Sequence, residues 1–206
     1  MIEKRPSDDP AHDDKLCLTL GGVWRGMRGL FPIALFSFPF GIAFGVAAAE
    51  HGMSIWQSIT MSGLSFSGAA QFASLDFWRD PVAFASLTLV VLAINARHII
   101  MGAALSPWVN TLPIGKRMFV LGFLSDANFA MSQQAFKAGE RDVGLLLGGG
   151  FMLWINWVSG TIFGALAGAL IGDPADFGLD VVIICFFATI VVGQMRDKAA
   201  IAPALI

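Results

Sequence analysis

Long apolar runs, separated by short polar breaks, dominate this 206-residue chain. The first runs from Gly29 to Ala49 without a charge; at about 1.5 Å per helical residue it reaches the hydrocarbon thickness of a bilayer. Phe31-Pro32 and Phe38-Pro39-Phe40-Gly41 place two helix breakers inside it, and Gly41 and Gly45 are spaced for a close helix contact. Glu50-His51-Gly52 predicts a short turn. Met53–Leu75 follows, also uncharged and long enough to cross, yet with Ser62, Gly63, Ser65, Ser67, Gly68 and Gln71 near its middle. A lipid-facing helix has no use for that composition. A helix that breaks at membrane depth does, because unpaired backbone groups are tolerated there only against protein or water.

Asp76-Phe-Trp-Arg-Asp80-Pro81 closes that stretch, with Pro81 placed to open the next helix. From Pro81 to Gly115 the chain is apolar apart from Asn95, Arg97 and His98. Two short spans meeting at a loop, or one longer tilted helix, both fit that pattern. Met118–Phe136 is interrupted by Ser125-Asp126-Ala127-Asn128. Val143–Ile171 is the longest apolar run, and Gly160, Gly164, Gly168 and Gly172 recur every fourth residue, predicting a packing seam on one helix face. Asn156 in that run reads as an interhelical hydrogen bond. Val181–Gly193 is a further span, and Ala199–Ile206 begins another apolar segment.

Composition sharpens the class. The chain is 56% hydrophobic and 14% charged, against about 25% charged for a soluble domain. Its 23 glycines fit closely packed membrane helices. The expected fold is therefore all-α: a polytopic helical membrane protein of about six to eight transmembrane segments, some broken or re-entrant. Residues 1–24 read as a polar, disordered cytoplasmic tail and residues 25–206 as the transmembrane domain. The acidic start lacks the order of a secretory signal. Cys17 and Cys185 are far apart without metal or redox spacing, no metal or cofactor is expected, and no basic aromatic surface points to nucleic acid.

Basic residues count the crossings. Arg25/Arg28, Lys116/Arg117, Lys137/Arg141 and Arg196/Lys198 all favour the cytoplasm of an inner (plasma) membrane. Lys116 and Lys137 share a side only if Met118–Phe136 is re-entrant or broken.

Charge at membrane depth costs several kcal/mol unless paired or hydrated, so Arg97 with His98 and Asp126 with Asn128 are the candidate coupling and ion-pair residues. A loop or snorkelling side chain is the bland reading of the first pair, a helix cap that of Asp126, and an interfacial turn that of Glu50/His51. Pairing Arg97 with Asp126 offsets both burial costs and leaves a pair for which a substrate competes. Ser62, Gly63, Ser65, Ser67, Gly68, Gln71 and Asn95 are the candidate substrate contacts; helix-to-helix glue is the alternative. No catalytic constellation and no Walker motif is present, so an ion gradient, the substrate gradient or another subunit must supply energy.

Ser67-Gly68-Ala69-Ala70-Gln71-Phe72, then Asn95-Ala96-Arg97-His98 leading to Ser106-Pro107-Trp108, then Asp126 before Phe129-Ala130, together resemble the AzlC family. Arg28-Gly29 with Pro32, and Pro39-Phe40-Gly41, extend the resemblance from about Arg25 to Ile206. It implies the large subunit of a two-component exporter of branched-chain amino acids, with a small AzlD-like membrane subunit as partner and hydrophobic sequence continuing beyond Ile206. One departure stands out: the family often has Asp-Glu where Asp126 here is followed by Ala127 and Asn128. The resulting expectation is a proton-driven exporter of hydrophobic amino acids. An uncoupled facilitator and a scaffold for a transporting partner are its rivals.

Overall fold

The computed structural model describes residues 16–79, 81–168 and 188. Seven helices make up the described residues: α1 Leu20–Glu50, α2 Ile55–Leu64, α3 Gly68–Leu75, α4 Phe84–Val109, α5 Ile114–Gly122, α6 Asp126–Lys137 and α7 Gly144–Gly168. Three of them, α1, α4 and α7, are long and apolar enough to cross a membrane. The chain is thus an all-helical, multi-pass membrane protein. Apart from residue 188, the expected spans within 172–206 lie outside the described residues, as does Gly172 of the glycine series.

The frame is a parallel pair, α1 against α7. Small residues bring the two backbones together along their whole length: a Cβ on Gly148 would meet the Val23 carbonyl oxygen at 1.9 Å, one on Gly160 that of Phe38 at 2.4 Å, and one on Gly164 that of Ile42 at 2.0 Å. Gly26, Gly41 and Gly45 on α1 are equally closed by Leu145, Trp157 and Thr161 of α7. Residue numbers of the facing pairs rise together along the two helices, from Gly26 with Leu145 to Val46 with Gly168, which fixes the parallel sense. Their starts are tied as well. Cys17 N–H donates to Arg141 O at 3.0 Å, and Val143 N–H to Cys17 O at 2.8 Å. Thr19 caps α1, Asp142 accepts from Gly144 N–H at 2.9 Å, and Arg25 reaches Glu140 at 3.2 Å and Asp142 at 3.5 Å.

Several expectations need correcting here. The described part of the tail is built into the fold, because residues 16–19 pair with the α7 start and α1 begins at Leu20. Pro32 and Pro39 do not break α1. Each only removes one N–H, and a membrane helix packed on a partner re-satisfies what is freed. Pro81 precedes α4 rather than opening it, and of the two readings for residues 81–115 the single helix is found. Asn156 donates to Met152 O within α7 at 2.9 Å, not to another helix.

Between the long helices lie two hairpins of short helices. The first leaves the α1 end through the Glu50-His51-Gly52 turn, with Gly52 at φ 76°. It runs inward as α2, breaks at Ser65-Phe66-Ser67, and returns as α3 to the face it came from. Leu75 and Met53 pack on Ala47 and Ala48, with Trp78 against the same cluster, and Trp78 lies beside Trp56 in a shared surface groove. The second hairpin leaves the α4 end, runs inward as α5, breaks at Phe123-Leu124-Ser125, and returns as α6. Val109, Val120, Phe136 and Val143 share one core cluster with Leu16 and Leu18 alongside, and Trp108 stacks on Phe136 at 5.1 Å. The expected re-entrant break in Met118–Phe136 is therefore present, and a matching one enters from the opposite face.

Candidate substrate-binding site

Each hairpin tip is fixed by one buried amide. Gln71, fully buried on α3, donates through Nε2 to the Ser65 carbonyl and accepts through Oε1 from Ser62 Oγ at 3.2 Å and Trp157 Nε1 at 3.0 Å. Ser62 Oγ also bonds Thr161 Oγ1 at 2.8 Å, tying the tip to α7. On the other hairpin, Asn128 is fully buried at the third position of α6. It accepts from Ser125 N–H at 2.7 Å and donates to Phe123 O at 2.8 Å and Leu146 O at 3.1 Å. In both hairpins the amide satisfies a carbonyl at the break, where helix geometry leaves it orphaned.

With the tips pinned, α3 and α6 present their N-termini to the middle of the molecule from opposite faces. A cavity of about 230 Å³ lies between them. Ser67, Gly68 and Ala69 line it from one tip, and Ser125, Asp126 and Ala127 from the other. Ile33 and Ser37, between the two prolines of α1, Leu153 and Trp157 of α7, Arg97 and His98 of α4, and Phe66 complete the lining. Arg97 Nη1 is 3.0 Å from Asp126 Oδ2, joining mid-α4 to the second tip. The pair is partly open, with side-chain exposures of 32% and 62%, so it contributes about 1 kcal/mol or less to stability.

Two polar atoms in this neighbourhood have no partner. Ser67 caps α3 by position, yet its side chain makes no cap bond; the residue is 6% exposed and its Oγ bonds nothing. Arg97 Nε is likewise buried and unbonded. A buried donor without a partner costs about 1–3 kcal/mol, and such orphans in a cavity mark where a ligand would repay the desolvation. Helix dipoles add positive potential at both N-termini.

Of the residues singled out from sequence, Ser67, Gly68, Arg97, His98 and Asp126 meet in this cavity. Ser65 and Asn95 line a neighbouring one. Ser62, Gly63, Gln71 and Asn128 line neither; their bonds hold the tips, Gly63 O accepting from Trp154 Nε1 at 3.1 Å. Sequence reasoning missed Ser37, Ile33, Leu153 and Trp157. Only the prolines bracketing Ile33 and Ser37 hinted at them.

Opposed re-entrant hairpins around a mid-depth cavity define a class of membrane transport protein, and the comparisons narrow it. Residues 32–171 match the family model described as AzlC protein. The chain belongs to the AzlC family. It is 26% identical over 183 residues to the inner membrane protein YgaZ of Escherichia coli, covering 86% of this chain and 75% of that one. An uncharacterized membrane protein of Archaeoglobus fulgidus is 30% identical over 146 residues, 70% of this chain and 62% of its own length. No solved structure matches.

Proposed function

We propose that this chain is the substrate-bearing subunit of an inner-membrane exporter of branched-chain or other hydrophobic amino acids. Its site is the cavity between the hairpin tips, its energy source the proton gradient, and its partner a small AzlD-like membrane subunit. The observation that carries the reading is the Arg97–Asp126 pair, set between two helix N-termini and flanked by Ile33, Phe66, Leu153 and Trp157. A zwitterion with an apolar tail fits those contacts. Its carboxylate takes Arg97 and the Ser67–Gly68 helix end, and its tail takes the apolar side chains. Asp126 is the coupling carboxylate: because an inward proton gradient drives export only by exchange, it carries a proton on the empty return and none while the amino acid is bound.

The small size of the cavity favours a single amino acid over a peptide; ligand pockets run about 300–1,000 Å³. Arg25, Arg28, Lys116, Arg117, Lys137 and Arg141 stand at the face where α1 begins, which by the positive-inside rule supports a cytoplasmic N-terminus.

The test is efflux of labelled valine, leucine, isoleucine and methionine, with and without the small partner and with and without a protonophore. Wild-type efflux is expected to need the partner and to collapse with the gradient, and Asp126→Asn to insert normally yet lose export. Unchanged export in Asp126→Asn removes the coupling role. Efflux that survives the protonophore makes the protein a facilitator, and transport by the partner alone makes it a scaffold.

A further inference from the structure

The two hairpins have a second consequence, at the ends of the helices that enter rather than those that return. Beside the central cavity, across Phe66, Ser67 and His98, which line both, lies a second cavity of about 410 Å³. Its walls carry Leu64 and Ser65 at the C-terminal end of α2 and Leu121, Gly122 and Leu124 at that of α5. The central cavity receives two helix N-termini; this one receives two C-termini. The helix dipoles therefore favour a cation here and an anion in the first.

We propose that this second cavity is a cation subsite, taking a hard monovalent cation on oxygen ligands with Asn95 Oδ1 as its side-chain contact. Asn95 reaches it from α4, and its Oδ1 is buried without a partner. That atom only accepts hydrogen bonds or coordinates a cation, so its missing partner is a donor or a metal ion. Ser67 Oγ, also unpartnered and nine-tenths buried, is shared with the anion-favouring cavity and offers a second oxygen. His98 Nδ1 lies 3.3 Å from Asn95 O. The Asp126 carboxylate and the Arg97 guanidinium, paired with each other, line the other cavity. Carbonyls at broken-helix ends, hydroxyls and an amide oxygen are the ligands that small monovalent cations take at membrane depth. The cation is either the ammonium of the transported amino acid, whose carboxylate sits across Ser67, or inorganic Na⁺. This deepens the transport reading and rests on it for its role, but the binding event is measurable without transport.

The test uses the full chain purified in detergent, with the melting temperature as readout. NaCl is compared with choline chloride at equal ionic strength and without amino acid. Leucine is then compared with 4-methylpentanoate, the same molecule lacking its amine. Both series are run on wild type, Asn95→Ala and Asn95→Asp. A Na⁺-dependent rise that Asn95→Ala weakens about tenfold and Asn95→Asp strengthens assigns the subsite to inorganic cation. No Na⁺ effect, but a roughly tenfold preference for leucine that collapses in Asn95→Ala and persists in Asn95→Asp, assigns it to the ammonium. If neither response depends on position 95, the proposal is overturned. Should Asn95→Ala not fold, Asn95→Asp decides: a cation or amine response at least as strong as wild type supports the subsite, and a lost one overturns it. A Na⁺ response with no leucine binding in any variant leaves the subsite standing and counts against the transport reading instead.

Discussion

Replacing Gly164 with Ala tests the frame on which the site hangs. The added Cβ would lie 2.0 Å from the Ile42 carbonyl oxygen and 2.8 and 2.9 Å from its C and Cα, all backbone atoms that cannot swing aside. Ordinary contact begins near 3.4 Å, so α1 and α7 must part by over an ångström at that level. Close-packed interiors resist such insertions at roughly 1–3 kcal/mol. Alanine is also the better helix former by about 1 kcal/mol, which offsets part of the cost. Gly102→Ala isolates that offset, because nothing lies within 4 Å of its would-be Cβ in the middle of α4. The assay is thermal melting of the full chain in detergent, read by the monodisperse peak on size exclusion. Gly164→Ala should melt several degrees below wild type and Gly102→Ala at or above it. Efflux should fall only in the former, since parting the seam moves Ile33 and Ser37 away from Leu153 and Trp157 across the cavity. Equal melting temperatures for the two variants refute the close parallel pair.

The tips give three further predictions. Asn128→Ala orphans the Ser125 N–H and the Phe123 carbonyl and removes the extra bond to the Leu146 carbonyl, and should lower stability by about 1–3 kcal/mol, seen as a reduced melting temperature. Gln71→Leu removes the bonds to Ser62, Ser65 and Trp157, and should cost a similar amount and reduce efflux by loosening the first tip. Ser67→Ala should raise the melting temperature, because its buried Oγ bonds nothing in the protein, yet raise the leucine concentration for half-maximal efflux about tenfold. A Ser67→Ala protein with wild-type concentration dependence means that the carboxylate binds elsewhere.

Much of this arrangement was legible where local chemistry speaks. Ser65-Phe66-Ser67-Gly68 and Ser125-Asp126-Ala127-Asn128 announce breaks because small polar residues at membrane depth need a reason to be there. Gly160, Gly164 and Gly168 announce a seam because they recur on one face. Arg97 and Asp126 announce each other because neither charge is stable alone in a bilayer. Tertiary context was not legible. The partner of the seam is α1, and no pattern in α7 says so. Pro32 and Pro39 look like breaks, yet packing against α7 carries the helix through them. Helix α4 is apolar on nearly every side, with Leu89, Leu92, Ile99 and Ile100 all exposed, so its pattern does not distinguish one helix from two. Ser62, Gln71 and Asn128 have the chemistry of ligands, but their bonds are spent on holding the tips; only coordinates separate a polar group that faces a cavity from one that braces its wall.

The most direct test of the central claim, that substrate occupies the cavity between the hairpin tips, is protection of a cysteine placed there. Ala127→Cys sits on the cavity wall beside Asp126, and Cys17 and Cys185 are replaced by Ser to clear the background. Its rate of modification by a small water-soluble thiol reagent is measured in vesicles with and without excess leucine. Leucine should slow labelling severalfold, and complete labelling should stop leucine efflux. Labelling at the same rate with and without leucine, together with efflux that continues after the cysteine is fully modified, would contradict it.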